Sequence, residues 1–277
     1  MYTLYLCASP IGNLEDVSLR LIRTLKEVSL IACEDTRTSA TLLARYDIHT
    51  PLTAYHDHNK ARETDRLIDY LLTEGDVALL TDAGMPSISD PGYELCRAAR
   101  EAGNPVTLIP GPSAVLAALV LSGLPTDRFV FDGFLPKSGK ARKDRLKDWE
   151  KEKRTIVFFE APHRVLATLA DLQAHFPRRQ VAVCRELTKR FEEVLCDTAE
   201  NLIAHFSATA PRGEFFFVLA GAPDEAPDRA AALAYAADLV SGGMRTKEAA
   251  KAAAEKYTCS SRQIYQGLIA DSRNKRD

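Results

Sequence analysis

The stretch Val77 to Gly92, VALLTDAGMPSISDPG, concentrates the polar side chains and unusual backbone of the first half of the chain. An apolar run, Val77-Ala78-Leu79-Leu80, leads into Asp82, Ala83, Gly84, Met85, Pro86, Ser87, Ile88, Ser89, Asp90, Pro91 and Gly92. Two glycines and two prolines so close together fix unusual dihedrals. A stiff loop after a buried strand sits where open α/β sheets bind ligands, beyond the carboxyl ends of the strands. The plainer reading has Asp90 capping a helix with Pro91 at its first position, but the turn is longer than a cap requires. Other apolar pieces end alike. Leu30–Cys33 runs into Glu34-Asp35-Thr36-Arg37, Leu52–Tyr55 into His56-Asp57-His58-Asn59, and Pro105–Ile109 into Pro110-Gly111-Pro112-Ser113. Carboxylates and imidazoles are proton-transfer groups. His56 and His58 could also ligate a metal, but no paired acid–histidine motif supplies the remaining ligands, so no metal is expected. Later, Arg185-Glu186-Leu187-Thr188-Lys189 closes another apolar strand.

These clusters need a scaffold. Tyr2–Ala8 reads as a first strand and Val17–Val28 as a helix, with Val17, Leu21, Leu25 and Val28 on one face. Helical patterns separate the strands, so the first ~120 residues read as alternating β and α around a mainly parallel sheet. In such a sheet every polar exit gathers on one edge. A second α/β unit begins near Pro125, with strands Phe129–Phe134, Thr155–Phe159, Gln180–Arg185 and Glu214–Ala220. Its helices lie near Ala141–Glu152, Arg164–Phe176 and Ala199–Phe206. After a linker, Gly221–Asp228, come helices near Arg229–Val240, Lys247–Lys256 and Ser261–Ser272, with Thr246 and Ser260 placed to cap the last two. The tight Tyr257-Thr258-Cys259 turn fits a helix-turn-helix. The expected domains are 1–120, 121–222 and 229–277.

Composition narrows the class. No apolar run reaches the ~18 residues of a membrane helix, and Met1–Leu6 has no leader pattern. Six cysteines stand singly without a CxxC pair, which argues for reduced thiols in a cytosolic chain and against a disulfide framework or zinc ribbon. Residues 1–136 carry 11 Lys/Arg against 18 Asp/Glu, and residues 137–221 carry 16 against 12. A local basic face is therefore compatible with a net charge of −2. The densest basic run, Lys137–Arg154, holds nine basic and four acidic residues. With Trp149 as its one aromatic it suits phosphate contacts better than base stacking. There is no GxGxxG, no P-loop and no GxSxG, which removes the commonest α/β enzyme classes.

In order along the chain, SPIGNLEDVS, EDTR, HDHN, TDAGMPSISDPG, PGPSA, FDGFLP, FFEAPHR, RELTK and GEFFFVLAG resemble the bacterial small-subunit ribosomal RNA (cytidine-2′-O)-methyltransferases of the tetrapyrrole-methylase-like group. The match covers nearly the whole chain. It departs at Met85, where the family more usually has a small polar residue. The resemblance implies a two-domain class III methyltransferase fold plus a small helical domain, S-adenosylmethionine in the cleft, and a homodimer. The substrate it implies is a decoding-region cytidine of 16S rRNA or of the 30S subunit. It places the donor at Pro10 and Gly12, at Asp82, Ala83, Gly84, Pro86, Ile88 and Ser89, at Ser113 and Ala114, and at Phe159 and Glu160. RNA would meet Arg37, His56, Asn59, Lys137, Lys140 and Arg142, with Arg145, His163, Arg164 and Arg185 beside them. A ribose hydroxyl is a poor nucleophile, so a base, or a cation facing the alkoxide, helps; Asp35, His58 and Lys189 are the candidates. Two rivals remain: a tetrapyrrole or other small-molecule methylase, and a helix-turn-helix DNA-binding regulator.

Overall fold

The computed structural model describes residues 1–223, 229–257 and 259–274; Thr258 of the expected turn and residues 224–228 of the expected linker lie outside them. The chain divides into two compact units, Met1–Ala222 and Pro223–Asp277.

The first unit opens with β1 (Leu4–Cys7), α1 (Leu19–Glu27), β2 (Leu30–Cys33), α2 (Thr36–Arg45) and β3 (Leu52–Ala54). It continues through α3 (Lys60–Thr73), β4 (Val77–Leu80), α4 (Tyr93–Glu101), β5 (Val106–Ile109) and α5 (Ala114–Leu121). The five strands form one sheet in the order β3-β2-β4-β1-β5, all parallel. Successive side chains on a strand point to opposite faces, and β4 uses both. Val77 and Leu79 pack with Leu67, Leu71 and Leu95 from α3 and α4. Ala78 and Leu80 pack with Leu21, Leu25 and Leu42 from α1 and α2. A strand buried on both faces needs a continuous apolar run. The helix expected from Val17 starts two residues later, because the Ser18 hydroxyl accepts from Leu21 N at 3.0 Å and caps it.

Next come β6 (Phe129–Phe134), α6 (Gly139–Glu150), β7 (Thr155–Glu160), α7 (Val165–His175) and β8 (Gln180–Arg185). They are followed by β9 (Glu193–Thr198), α8 (Ala199–Ala208) and β10 (Phe215–Leu219). The second sheet runs β6-β7-β10-β8-β9, with β6 and β7 parallel and the other pairs antiparallel. Strand β9 is not among the strands expected from sequence. It is an edge strand paired only with β8, half-buried, and so lacks the continuous apolar run that marks a central strand. Helix α5 lies on this sheet, where Val115, Ala118 and Leu119 pack with Val157, Phe216 and Val218. A boundary at residue 120 therefore falls at the end of a helix that covers the second sheet.

The second unit holds α9 (Arg229–Ser241), α10 (Thr246–Lys256) and α11 (Ser261–Asn274), packed through Ala232, Ala236, Ala250, Ala253, Ile264 and Leu268. Thr246 does not cap α10: it is already the first helical residue, and Arg245 precedes it without a side-chain cap. Ser260 directly precedes α11, and its carbonyl accepts from Ile264 N at 3.1 Å. Among the described residues no helix is long and apolar enough to cross a membrane.

Leu79 is 1% exposed in a two-sided core, whereas Leu19 is 87% exposed. Leu79→Ala is expected to lower the unfolding free energy by about 2–5 kcal/mol, and Leu19→Ala by less than about 0.5 kcal/mol, as read by urea denaturation.

Candidate active site

Parallel pairing brings the ends of all five first-sheet strands to one edge, and short-range bonds then lock the exits together. Ser9 N donates to Gly84 O at 2.9 Å and Gly84 N to Ser9 O at 3.1 Å, joining the exits of β1 and β4. The Thr81 hydroxyl donates to the same Gly84 carbonyl at 3.2 Å. Gly84 sits at φ +77°, open to glycine and strained for nearly everything else. Across to β2, the Asp82 carboxylate accepts from Asp35 N at 3.1 Å. The β3 exit is stitched by Asn59, whose amide oxygen accepts from His56 N at 2.8 Å while its amide nitrogen donates to Ala54 O at 2.9 Å.

Beyond Gly84 the loop is strained. Ser87 and Ser89 take φ of +69° and +64°, conformations that non-glycine residues hold only when their surroundings impose them. Asp90 is no helix cap, because Gly92 precedes α4 and Tyr93 begins it. A second strained loop follows β8, with Glu186 at φ +50° and Thr188 at +65°. There the Glu186 carboxylate accepts from Glu214 N at 2.9 Å and from Lys189 Nζ at 3.1 Å. Lys189 also pairs with Glu214 at 3.0 Å. Gly12 passes against this loop: a Cβ there would stand 2.5 Å from Lys189 Cγ and 2.7 Å from Thr188 Oγ1.

The exits of β1, β4 and β5, with residues of the second sheet and its loops, wall a cavity of about 340 Å³. One side is Ile11, Ala83–Met85, Ile88–Asp90 and Ser113–Val115; the other is Phe134, Phe159–Pro162 and Gly213–Phe216. Phe159 is surrounded edge-on by Phe131, Phe134 and Phe216, with ring centroids 5.1–5.2 Å away. Eight of the twelve residues expected at a donor line this cavity: Ala83, Gly84, Ile88, Ser89, Ser113, Ala114, Phe159 and Glu160. Pro10, Gly12, Asp82 and Pro86 do not line it. Pro10 and Asp82 border a separate recess of about 50 Å³. Besides Ile11, Met85, Val115, Ala161 and Pro162, the lining residues outside the expected set are Asp90, Phe134 and the segment Gly213–Phe216. The motifs FDGFLP and GEFFFVLAG carry the last two, and Asp90 stands in the plainest motif of all, where it reads as a helix entry.

The charges sort the proposed proton-handling groups. Burial, and then the nearby Glu34, Asp82 and Asp57 carboxylates, push the Asp90 carboxyl up to about 7. Glu34 and Asp82 are likewise raised, chiefly by burial and then by neighbouring acids. Asp35 goes the other way, to about 2, held by the Arg37 guanidinium and by Arg37 N at the start of α2. It is a helix cap and a weak proton acceptor. Burial alone would lower the Lys189 ammonium, yet its pairs with Glu214 and Glu186 carry it above the ordinary lysine value, so it is a fixed cation. His58 is exposed, its ring edge-on to His56 at 5.9 Å.

The residues expected to face RNA divide. Lys137, Lys140 and His163 are exposed. Arg142 and Arg164 are turned inward, against expectation. Arg142 is 8% exposed and donates to Asp171 at 2.7 Å, Thr168 Oγ1 at 2.9 Å and Pro136 O at 2.9 Å. Arg164 donates to Leu135 O at 2.6 Å and pairs with Glu160 at 3.1 Å. A buried guanidinium has five donors to satisfy; the β6–α6 turn supplies carbonyls to both arginines, and Asp171 and Thr168 on α7 supply further acceptors to Arg142. Arg145 pairs with Asp132, which also accepts from Trp149 Nε1 at 2.6 Å. Arg37 lies on Asp35, and Arg185 donates to Arg212 O at 2.8 Å.

Known proteins resemble this chain over most of its length. The sequence model of the family Tetrapyrrole (Corrin/Porphyrin) Methylases matches residues 3–203. The ribosomal RNA small subunit methyltransferase I of Halalkalibacterium halodurans is 44% identical over 269 residues, 95% of this chain and 93% of that protein. The protein of the same name from Synechocystis is 44% identical over 270 residues, 96% of this chain and 97% of its own. Among solved structures, a uroporphyrin-III C-methyltransferase from Thermus thermophilus, complexed with S-adenyl homocysteine, superposes with a TM-score of 0.56 at 20% identity. The superposition covers 79% of this chain and 97% of that one, a likeness of fold.

An unfolded aspartate titrates near ~4, and Asp90 in the fold titrates at about 7. The folded state therefore carries a penalty that is full above about pH 7 and gone below ~4. Asp90→Asn removes it, so the melting temperature should rise more at pH 8 than at pH 5 in scanning calorimetry. Equal shifts at both pH values would contradict the assignment.

Proposed function

The chain belongs to the tetrapyrrole methylases and, within them, to the ribosomal RNA small subunit methyltransferase I family, and from that premise we propose that it moves a methyl group from S-adenosylmethionine to the ribose 2′-hydroxyl of a decoding-region cytidine in 16S rRNA. The observation that supports this most directly is the cavity, into which eight of the expected donor residues converge from the β4 and β5 exits and from the end of β7. Its chemistry fits the donor. Aromatic rings around Phe159 suit a purine face. Tight loops at Gly84 and Ser113 offer backbone groups at close range, and four neighbouring carboxylates favour a sulfonium cation. When bound, the donor supplies a methyl carbon on positively charged sulfur. The protein's share is positioning, which for well-oriented reactants is worth roughly 7–11 kcal/mol.

Phosphates would be met away from these acids. Lys137 and Lys140 stand exposed at the start of α6. In the helical unit Lys247, Lys251 and Arg262 border a recess of about 460 Å³ with Ser261 and Tyr265. None of those three cations has an ion-pair partner among the described residues. This second basic surface favours RNA over a tetrapyrrole as acceptor. In our reading the acceptor is 16S rRNA or the small subunit in the cytosol, and the enzyme is a homodimer; Leu116 and Val120, one turn apart on α5 and 52% and 69% exposed, suit self-association.

Incubation with labelled S-adenosylmethionine and undermethylated small subunits, free RNA or a tetrapyrrole should place label in a ribose of the RNA. Label in the tetrapyrrole, or none, overturns the proposal. The triple variant Lys247→Ala, Lys251→Ala, Arg262→Ala should weaken RNA binding and flatten the slope of log affinity against log salt by about 2, with donor affinity unchanged.

A further inference from the structure

Asp90 lines the cavity beside Ser89, on a loop that the Ser9–Gly84 bonds hold at its start and that carries two left-handed serines. The other two carboxylates of the cavity are occupied. The Glu160 carboxylate accepts from Ala161 N at 2.9 Å and Thr168 Oγ1 at 2.6 Å and pairs with Arg164. Glu214 pairs with Lys189. Asp90 alone among the cavity's carboxylates has neither a hydrogen-bond nor an ion-pair partner within the described residues. The charges facing it come from two other exits and from its own loop: Glu34 after β2, itself near His56; Asp57 after β3, paired with Lys60; and Asp82 on its own loop, bonded to Asp35 N. No cation of the described residues pairs with Asp90 itself.

Resting on the methyl-transfer reading above, we propose that Asp90 is the proton acceptor for the hydroxyl that takes the methyl group, and that it becomes competent when the cationic donor fills the cavity. A bare acidic pocket keeps the proton on Asp90 near neutral pH; one added positive charge in the same pocket favours the carboxylate. As the acceptor oxygen forms its bond to the methyl carbon, its O–H proton passes to a carboxylate oxygen of Asp90. The carbon–sulfur bond breaks with both electrons remaining on sulfur, which becomes a neutral thioether. With the cation gone, Asp90 holds the proton and releases it to water when the cavity opens. Charge and protons balance, and no further reagent is required.

Two measurements test this on the full chain. Calorimetry just below neutral pH, in buffers of differing ionisation enthalpy, should show more protons released on binding S-adenosylmethionine than S-adenosylhomocysteine, which differ by one positive charge at sulfur. In Asp90→Asn that difference should vanish while S-adenosylhomocysteine still binds. In RNA methylation, Asp90→Asn should lower kcat by roughly 10²–10⁴-fold. Glu34→Gln, which keeps Asp90 and removes one facing charge, should move the acidic limb of kcat/KM to lower pH. Equal proton release for the two ligands in the unaltered chain, or undiminished kcat in Asp90→Asn, overturns the proposal. If Asp90→Asn fails to fold, the unaltered chain and Glu34→Gln still decide it. A chain that labels no RNA overturns the functional reading instead, and the proton-release comparison then decides by itself whether Asp90 responds to the donor's charge.

Discussion

Two hydrogen bonds between Ser9 and Gly84 hold the site together. Parallel pairing alone brings strand ends to one edge, but loops leaving that edge are free to splay. The Ser9–Gly84 pair closes the β1 and β4 exits onto each other. The Asp82–Asp35 bond extends the join to β2, and the Tyr55 N to Cys33 O bond at 2.8 Å extends it to β3. The lining residues Ala83–Met85 and Ile88–Asp90 hang from this lacing. Gly84 is required for its φ of +77°; the space beside it would admit a Cβ in ordinary contact with Ile11 Cγ2, 3.4 Å away.

The electrostatics separate two tasks. The strand-exit edge gathers Glu34, Asp57, Asp82 and Asp90, a field that welcomes a cation and repels phosphate. The exposed cations lie elsewhere, on α6 and on α10 and α11. Four of the acids of the first 136 residues gather at that edge, part of the uneven charge along the sequence. Within the basic run, however, charge count overstated the surface. Arg142 lies inside the fold, bonded to Asp171, and Arg145 answers Asp132 on the neighbouring strand.

Sequence patterning revealed the two-sheet architecture because strands buried on both faces leave continuous apolar runs that end in polar exits. Val77–Leu80 reads as a buried strand and is one; the five polar exits do converge. What it hid depends on contacts distant in sequence. Gly12 looks like a donor-loop glycine, yet its missing side chain makes room for Thr188 and Lys189, some 176 residues away. Asp35 looks like a base until Arg37 and the α2 terminus claim it. Asp90 looks like a cap because Ser-Asp-Pro-Gly is a common helix entry; only the tertiary field of three other acids gives it a different character.

Strain explains why the two loops persist. Ser87, Ser89, Glu186 and Thr188 all take positive φ, at a cost on the order of 1–3 kcal/mol each. A β-branched threonine at φ +65° is the least natural of them. Leu187 between the last two is 2% exposed, anchored in the core shared by α5 and the second sheet. On the other side Pro86 is buried within the first loop. Each strained segment is thus pinned by an apolar residue, and the stability of the two cores holds the turns in place. The two segments are set against each other where Gly12 of the first-sheet loop meets the RELTK loop, and Ile11 beside it packs in the same core as Leu187.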